Sequence, residues 1–309
     1  MLTIIVFTQN EGQVLNNILG DLNKIDNKIP IEVWVVIWGK LTTFDKKVFI
    51  TNKNKTLKVF KCNLKTFGER YFNWVKKVKT KYLWNVGDDD RINYKNYPIL
   101  ENAIIRNYTG ITMSFIAFTN RVNFKKNNNY KITDIKMKKD IHLTGFITSQ
   151  IINVEILRKN LIFQKKFKIT MYPQLFYIFF LIFKKGNWKC LQVDLVRCYA
   201  GNFRYINRNS ALDRLNNEYQ GYLFPLKKYS PENPNVFRLY YEKIFFKNIL
   251  SWINLNIRLN GKKSTYKLIK NNNYLKPFSL NVTLVSFIIF LMPNKLLNII
   301  FKIIKKPVK

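Results

Sequence analysis

The sequence predicts an α/β fold in which a mostly parallel sheet is flanked by helices and followed by a helical, basic C-terminal extension. Short apolar, β-branched runs alternate with segments of helical period in the N-terminal part of the chain. One of these runs ends in three consecutive aspartates, and ligands of open α/β sheets gather outside the carboxyl ends of the strands. Beyond residue 205 the pattern changes to polar and aromatic helical segments.

The elements follow from hydrophobic periodicity taken in chain order. Buried strands are predicted where apolar runs are bounded by polar or glycine residues, at 2–7, 31–37, 57–60, 82–86, 110–118 and 143–152. Amphipathic or fully apolar helices are predicted at 11–25, 67–81 and 172–183. The strand at 82–86 therefore delivers the acidic run to the same edge of the sheet as the polar residues that follow the first strand.

The chain has 309 residues, 47% of them hydrophobic, and a formal net charge of +35. Such a charge favours phosphate-rich partners, although lysine-rich composition typical of AT-rich genes explains it equally well. The basic residues are mostly lysine and are spread along the chain, which makes nucleic acid an unlikely partner. Cys62, Cys190 and Cys198 have no CxxC spacing, so neither a zinc site nor a disulfide framework is predicted.

We expect a catalytic domain at 1–205 and a helical extension at 206–309. The extension ends in an apolar stretch broken by Pro293, followed by a basic amphipathic stretch, together about 278–306. Neither half is long enough to span a bilayer, and the N-terminus begins a strand without a secretory signal. The expected location is cytoplasmic and peripheral, with the tail on the anionic inner face of the cell membrane.

Asp88, Asp89 and Asp90 are the principal candidate site. Three adjacent carboxylates repel one another, so a strand end is a costly place for them unless a cation balances their charge. Mg²⁺ or Mn²⁺ takes one or two carboxylates and completes its shell with phosphate oxygens and water. The alternative is that the run is a solvated turn or a helix cap.

The context of the acidic run resembles family 2 glycosyltransferases, which have the Rossmann-like GT-A fold. The resemblance covers roughly residues 1–200 and rests on Thr8-Gln9-Asn10-Glu11 after the first strand, the helix at 67–81, and Tyr82 to Asp90. It is strongest to the bacterial surface-polysaccharide branch with abequosyltransferase-like enzymes, in which Arg70, Tyr82 and Trp84 fall in step with the pattern.

The resemblance implies roles for individual residues. Thr8, Asn10 and Glu11 would lie beside the nucleotide with Arg70, Asp88 would lie near the ribose, and Asp89 or Asp90 would hold the metal. Trp38 stands where the family commonly has an aspartate that reads the base, and Gly87 replaces the first carboxylate of the Asp-x-Asp-Asp (DXD) form of the motif. Thr170-Met171 replaces an acidic pair that supplies the general base in many members.

The general base is therefore open. His142 is the single histidine and precedes a predicted strand, which makes it a candidate base or a structural histidine. The other carboxylates that could act if the fold brings one near the crevice are Asp134, Asp140, Glu155 and Asp194. Gln150 and Gln174 are candidates for hydrogen bonds to sugar hydroxyls, with ordinary core or surface positions as the alternative.

The acidic run and the resemblance together imply a metal-assisted glycosyltransferase of the hexosyltransferase type, inverting as the family does. It would move a sugar from a nucleotide-sugar donor to a lipid-linked or polysaccharide acceptor in O-antigen or capsule biosynthesis. The alternatives are a relative that binds nucleotide or sugar without transfer, and a basic protein of membrane surfaces or nucleic acid.

Overall fold

The computed structural model describes residues 1–8, 12–39, 46–117, 120–122, 128–130, 145–160 and 172–198, and, further along, 221–222, 224–225, 228–229, 253, 256–257, 260–271, 287–293 and 296. The chain divides into two compact units. The first comprises Met1–Asn202 with Lys228–Pro231, and the second comprises Phe203–Lys227 with Glu232–Lys309.

The first unit begins with four parallel strands and two helices. These elements are β1 (Leu2–Thr8), α1 (Gly12–Asn23), β2 (Ile31–Ile37), β3 (Lys55–Lys61), α2 (Phe67–Lys77) and β4 (Tyr82–Gly87). β1 pairs in parallel with β2 and β4, and β2 pairs in parallel with β3. The strand-helix-strand alternation thus forms the predicted parallel sheet, because parallel neighbours need a crossover connection.

Helix α2 is shorter than its sequence pattern predicted. It begins at a capping box, in which the Thr66 side chain accepts from the Glu69 N–H and the Glu69 carboxylate accepts from the Thr66 N–H. It ends at Lys77 rather than residue 81, because Val78 is extended with ψ of 124°. The next residues lead into β4, and the Thr80 hydroxyl among them is hydrogen-bonded to that of Thr3 in β1 at 2.7 Å.

The rest of the first unit extends the sheet and mixes its directions. Its elements are β5 (Arg91–Ile92), α3 (Tyr97–Ile105), β6 (Gly110–Ala117), β7 (Asn120–Val122), β8 (Asn128–Tyr130), β9 (Gln150–Asn153), α4 (Val154–Lys159), α5 (Gln174–Phe180) and β10 (Trp188–Cys198). The strand order is β3-β2-β1-β4-β9-β6-β10-β5, with β7 beside β6 and β8 beside β10. β9 runs antiparallel between β4 and β6, whereas β6 and β10 are parallel.

The predicted strand at 143–152 is wrong over most of its described part. Residues Ile147–Ser149 form a 3₁₀ turn, and only Gln150–Asn153 is extended. The turn is closed by the Phe146 carbonyl, which accepts from the Ser149 N–H at 3.2 Å and from its hydroxyl at 2.8 Å. The predicted helix at 172–183 is confirmed: α5 is buried on every face, continues as a π-helix at Leu181–Lys185, and stops at Gly186, whose φ is 64°.

The second unit contains α6 (Lys262–Asn271), which follows Gly261 with φ of 77°, and a helical turn at 287–291. Within the described parts of the chain, none of the helices combines the length and apolarity needed to cross a bilayer. Most of the helical segments predicted beyond residue 205, and most of the basic amphipathic stretch after Pro293, lie outside the described residues.

Replacing Gly110 tests the packing of β6 against β10. A Cβ at this position would overlap the ring of Trp188, which is 1% exposed. We expect Gly110→Ala to lower the free energy of unfolding by about 1–3 kcal/mol, because an overpacked core must shift its neighbours. Urea unfolding monitored by circular dichroism measures this change.

Gly20→Ala is the matched control, because its Cβ would meet Val48 Cγ1 at an ordinary 3.7 Å in the interior of α1. We expect it to be neutral or to raise stability by about 0.5–1 kcal/mol, the helix preference of alanine over glycine. Equal losses in both variants would contradict the close contact between Gly110 and Trp188.

Candidate functional site

Three neighbouring strands end together at one edge of the sheet. Phe7 pairs with Gly87 and Thr8 pairs with Ile37, so the carboxyl ends of β1, β2 and β4 share this edge. Thr8 is 1% exposed, and its carbonyl accepts a hydrogen bond of 3.1 Å from the Trp38 N–H. Thr8 Oγ1 is buried without a hydrogen-bond partner among the residues described. The edge is therefore a continuous rim that runs from Trp38 through Thr8 to the acidic turn.

The acidic turn Asp88–Asp90 folds back over the end of β4. The Asp90 N–H donates to the Gly87 carbonyl at 3.3 Å. If Gly87 carried a Cβ, that atom would lie 2.7 Å from Asp90 Oδ2 and 3.0 Å from Asp89 Oδ1. The carboxylates of Asp89 and Asp90 thus converge on the space that a side chain at position 87 would occupy. This is a physical reason for glycine at this position.

Thr148 holds the acidic turn from the neighbouring segment. Its hydroxyl accepts from the Gly87 N–H at 2.9 Å and donates to the Asp90 carboxylate. Its carbonyl accepts from the indole N–H of Trp84 at 2.7 Å. Because Asp90 is only 3% exposed, this hydroxyl supplies a hydrogen bond that a buried carboxylate needs.

Arg70 and Trp38 form a stacked pair at the other end of the rim. The guanidinium carbon of Arg70 lies 3.6 Å from the centre of the Trp38 ring. Arg70 Nη1 donates to the carbonyls of Leu64 and Lys65, both at 2.9 Å. Burial lowers the pKa of Arg70, but an arginine pKa starts so high that the group stays charged. The pair places a fixed cation against an aromatic face.

Thr8, the Trp38 ring with Arg70 stacked on it, and the acidic turn all lie along this rim. Asp88 and Asp89 are half-buried, whereas Asp90 is turned inward. Tyr82 lies at the far end of β4, where it donates to the Tyr108 carbonyl at 2.8 Å and burial raises its pKa to about 12. Asn10, Glu11 and His142 lie outside the described residues.

Glu155, one of the carboxylates considered as the base, is far from the turn. It begins α4 beside Lys81, at the opposite edge of the sheet from the aspartates. It pairs with Lys159 at 2.8 Å, and a hydrogen bond from that lysine lowers its pKa. Asp194 lies within the irregular part of β10, between Leu191 and Val196, and Asp134 and Asp140 fall outside the described residues.

Two glutamines proposed for sugar contacts are core residues. Gln150 is 3% exposed, with its amide oxygen hydrogen-bonded to Thr112 at 2.7 Å and its amide nitrogen donating to Ser149 at 2.6 Å. Gln174 is also 3% exposed and donates to the Gly145 carbonyl at 3.0 Å. Both glutamines therefore occupy core positions, the alternative that the sequence had left open.

The acidic turn fits a metal that protein and substrate hold jointly. No group of three or more His, Cys, Asp or Glu side chains converges among the described residues. Two converging carboxylates are nevertheless the usual protein contribution to a Mg²⁺ or Mn²⁺ site when phosphates complete the shell. Asp89 is the more accessible of the two, since Asp90 is buried against Thr148.

Sequence reasoning missed Thr148 and the pairing of Trp38 with Arg70. Thr148 stands in a Thr-Ser-Gln run without a motif of its own, and it meets Asp90 across 58 positions of the chain. Trp38 was recognised only as a departure from the family pattern. Its proximity to the strand end was the available signal, but nothing in the sequence pairs it with an arginine of α2.

None of the family models matches this sequence, and no curated protein matches it. Solved structures do match its fold. S. aureus TarS 1–349 has a TM-score of 0.57 at 14% identity, covering 87% of this chain and 80% of that chain. The same TarS segment in complex with UDP-GlcNAc has a TM-score of 0.55 at 14% identity, with 82% and 79% covered.

The mannosyltransferase PcManGT from Pyrobaculum calidifontis, in complex with GDP-Man and Mn²⁺, has a TM-score of 0.50 at 11% identity. The match covers 92% of this chain and 77% of that chain. Together with the sheet order described above, these similarities confirm the predicted fold class. At such identities they describe the fold and leave the activity to be argued from the site.

Thr148→Val tests the bridge between β4 and the acidic turn. We expect it to lower the free energy of unfolding by about 1–3 kcal/mol, because the buried Asp90 carboxylate and the Gly87 N–H lose their shared partner. Thr148→Ser keeps the hydroxyl and should retain most of the stability. Urea unfolding of both variants measures the difference, and equal losses in the two variants would contradict a specific role of the Thr148 hydroxyl.

Proposed function

We propose that this protein is a glycosyltransferase that moves a sugar from a nucleotide-sugar donor to a lipid-linked or polysaccharide acceptor in bacterial surface-polysaccharide biosynthesis. One observation carries the proposal: two aspartates converge over Gly87 at the carboxyl end of β4, beside Thr8. The fold is shared with TarS, which has been crystallised with UDP-GlcNAc, and with a mannosyltransferase that binds GDP-Man and Mn²⁺.

The reaction joins an acceptor hydroxyl oxygen to the anomeric carbon of the donor sugar. The bond between that carbon and the diphosphate oxygen breaks, and the nucleoside diphosphate leaves with the bonding electrons. The hydroxyl proton passes to a general base, and attack opposite the leaving group inverts the anomeric centre. Asp89 and Asp90 would hold Mg²⁺ or Mn²⁺, which would neutralise the charge that develops on the diphosphate.

The rim supplies the donor-binding groups. Asp89, with Asp90, would hold the metal, and Asp88 would lie near the ribose. Thr8, Asn10 and Glu11 would line the nucleotide. The stacked pair of Trp38 and Arg70 offers an aromatic face and a cation where family 2 glycosyltransferases commonly have an aspartate that reads the nucleotide base. We therefore infer that the nucleotide base is bound by stacking. His142 remains a candidate for the base that accepts the proton.

The second unit supports a location on an anionic membrane surface. The outer face of α6 carries one exposed tyrosine and three exposed lysines at helical spacing: Lys263, Tyr266, Lys267 and Lys270. Tyr266 contacts the rings of Phe287 and Phe290, with centroids 5.8 and 5.7 Å apart, around a cavity of about 450 Å³. Ile288 and Leu291 beside them are 46% and 83% exposed.

Lysines around exposed apolar groups suit an interfacial surface, since apolar groups enter the acyl boundary while lysines meet lipid phosphates. A lipid-linked acceptor would be reached from this position. We therefore propose that the protein lies on the cytoplasmic face of the membrane, where nucleotide sugars are available.

Asp89→Asn tests the donor chemistry. UDP-GlcNAc and GDP-mannose are screened with Mn²⁺ for a rise in thermal stability, and nucleoside diphosphate release is then measured with the donor that binds. We expect Asp89→Asn to reduce release roughly 100-fold or more, because a metal ligand that acts on the leaving group is lost. EDTA should reduce release in the unsubstituted protein to a similar extent.

Asp26→Asn is the matched control, because Asp26 is an exposed aspartate distant from the strand ends, and it should keep full activity. A protein that binds nucleotide sugar without transfer would show the thermal shift but release no diphosphate, with or without acceptor. If neither nucleotide sugar raised the thermal stability of the protein, the transferase proposal would be rejected.

Ile288→Asn with Leu291→Asn tests the membrane surface. We expect the affinity for vesicles containing phosphatidylglycerol to fall at least about tenfold, because two apolar side chains no longer enter the acyl region. The control is Ile99→Asn with Ile105→Asn, two isoleucines on α3 that are 50% and 57% exposed. Equal losses for both pairs, measured by vesicle co-sedimentation, would contradict a docking surface on the second unit.

A further inference from the structure

A basic groove of about 600 Å³ lies beside β5 in the first unit. Arg91, Lys95 and Arg197 line it together with Tyr94, and Asp21 is the acidic side chain in its lining. Lys24 adds a further positive charge, with its ammonium group 5.5 Å from the centre of the Tyr94 ring. Positive charges thus outnumber negative ones within a single concave surface.

Arg91 and Arg197 are direct neighbours across two antiparallel strands. They occupy paired positions of β5 and β10, and both are exposed. Like charges directly opposite each other on paired strands repel and destabilise the sheet. In a chain whose basic residues are mostly lysine, two arginines that face each other are not a consequence of composition alone.

Asp21 orients one arginine but does not balance the groove. Its carboxylate accepts from Arg91 Nε at 2.6 Å and from Arg91 Nη2 at 2.8 Å. It also accepts from the Ile92 N–H at 3.1 Å, which fixes it to β5. Because this one carboxylate already accepts from three donors, the charges of Lys95 and Arg197 have no compensating acid among the groove-lining residues that the structure describes.

The groove adjoins the acidic turn but extends away from it. Arg91 follows Asp90 directly, so the groove begins where the turn ends. Asp21 lies nine residues beyond Gly12, near the end of α1. At 1.5 Å per helical residue it is ~13 Å from the helix start that borders the strand ends. A ligand in the groove would therefore neighbour the proposed donor without sharing its site.

We propose that this groove binds a phosphate group carried by the saccharide acceptor, an inference that rests on the proposed transferase function. The planar guanidinium group of Arg197 matches the geometry of phosphate oxygens, and an anion bound to it would also lie beside Arg91, whose Nε and Nη2 are held by Asp21. Tyr94 supplies a ring and a hydroxyl beside the arginines, which suits the sugar to which the phosphate is attached.

Calorimetric titration of the full chain tests the groove. The probes are a short-chain inorganic polyphosphate and glucose 1-phosphate, with uncharged glucose as the ligand control, all in EDTA so that metal-dependent donor binding is absent. Arg197→Gln should weaken binding of both phosphate probes about tenfold, the loss expected for charge-assisted hydrogen bonds. Arg106→Gln removes the same charge from an exposed position at the end of α3 and should change binding less than twofold.

Two further measurements distinguish phosphate binding from a structural role of Arg197 and from donor binding. Arg197→Gln should keep or raise the melting temperature, because it removes like-charge repulsion, and a large fall would indicate a structural role and overturn the proposal. The thermal shift with nucleotide sugar and Mn²⁺ should be unchanged in this variant. Failure of that shift in the unsubstituted protein would reject the transferase function while the phosphate titrations remain interpretable.

Equal weakening by Arg197→Gln and Arg106→Gln would show an effect of net charge alone and would overturn the groove. Absence of binding to either phosphate probe would overturn it as well. Binding to vesicles containing phosphatidylglycerol is the last measurement. If Arg197→Gln weakened only vesicle binding, the groove would bind lipid headgroups and not an acceptor phosphate.

Discussion

The hydroxyl of Thr148 joins the two parts of the structure on which the site depends. It accepts from the backbone at the end of β4 and donates to Asp90, while the carbonyl of the same residue is held by Trp84 inside the core. A buried carboxylate without such a partner would take up a proton or turn outward. The geometry of the acidic turn therefore depends on the 3₁₀ turn that immediately precedes β9.

This dependence explains why the sheet mixes directions beside the site. The short strand β9 runs antiparallel to both β4 and β6, so the chain approaches the acidic turn from the side opposite to β1. The 3₁₀ turn before β9 then presents Thr148 to Gly87. A parallel strand in this position would begin at the other edge of the sheet and could not bring its preceding residues to the ends of β1 and β4.

The elements that the sequence predicted well are those in which burial alone sets the pattern. β1 and β2 are apolar runs buried on both faces, and α5 is apolar on every side, so each has a clear signal. β10 was missed because polar residues interrupt its eleven positions and its register shifts between Leu191 and Val196. The helix α3 was missed because it is short and has a weakly amphipathic pattern with an early proline.

The candidate site divides in the same way. The acidic run and Thr8 are predictable because parallel strands bring their carboxyl ends together, a rule that needs no side-chain detail. Thr148, the stack of Trp38 on Arg70 and the arginine pair in the groove depend on contacts between distant segments. Local sequence carries no information about such contacts, since each partner alone is an ordinary surface or core residue.

Composition can explain the net charge of the chain, but it explains the positions of the charged residues less well. A lysine-rich chain acquires a high net charge without selecting any position, but in this chain three of the 18 acidic residues are consecutive at one strand end. The next residue is Arg91, which opens the basic groove. Carboxylates alone repel a diphosphate, so the acidic turn suits an anion only through a cation, whereas the groove suits one directly. Under the proposed function, these adjacent sites of opposite sign would hold two phosphate-bearing ligands side by side, the donor at the acidic turn and the acceptor at the groove.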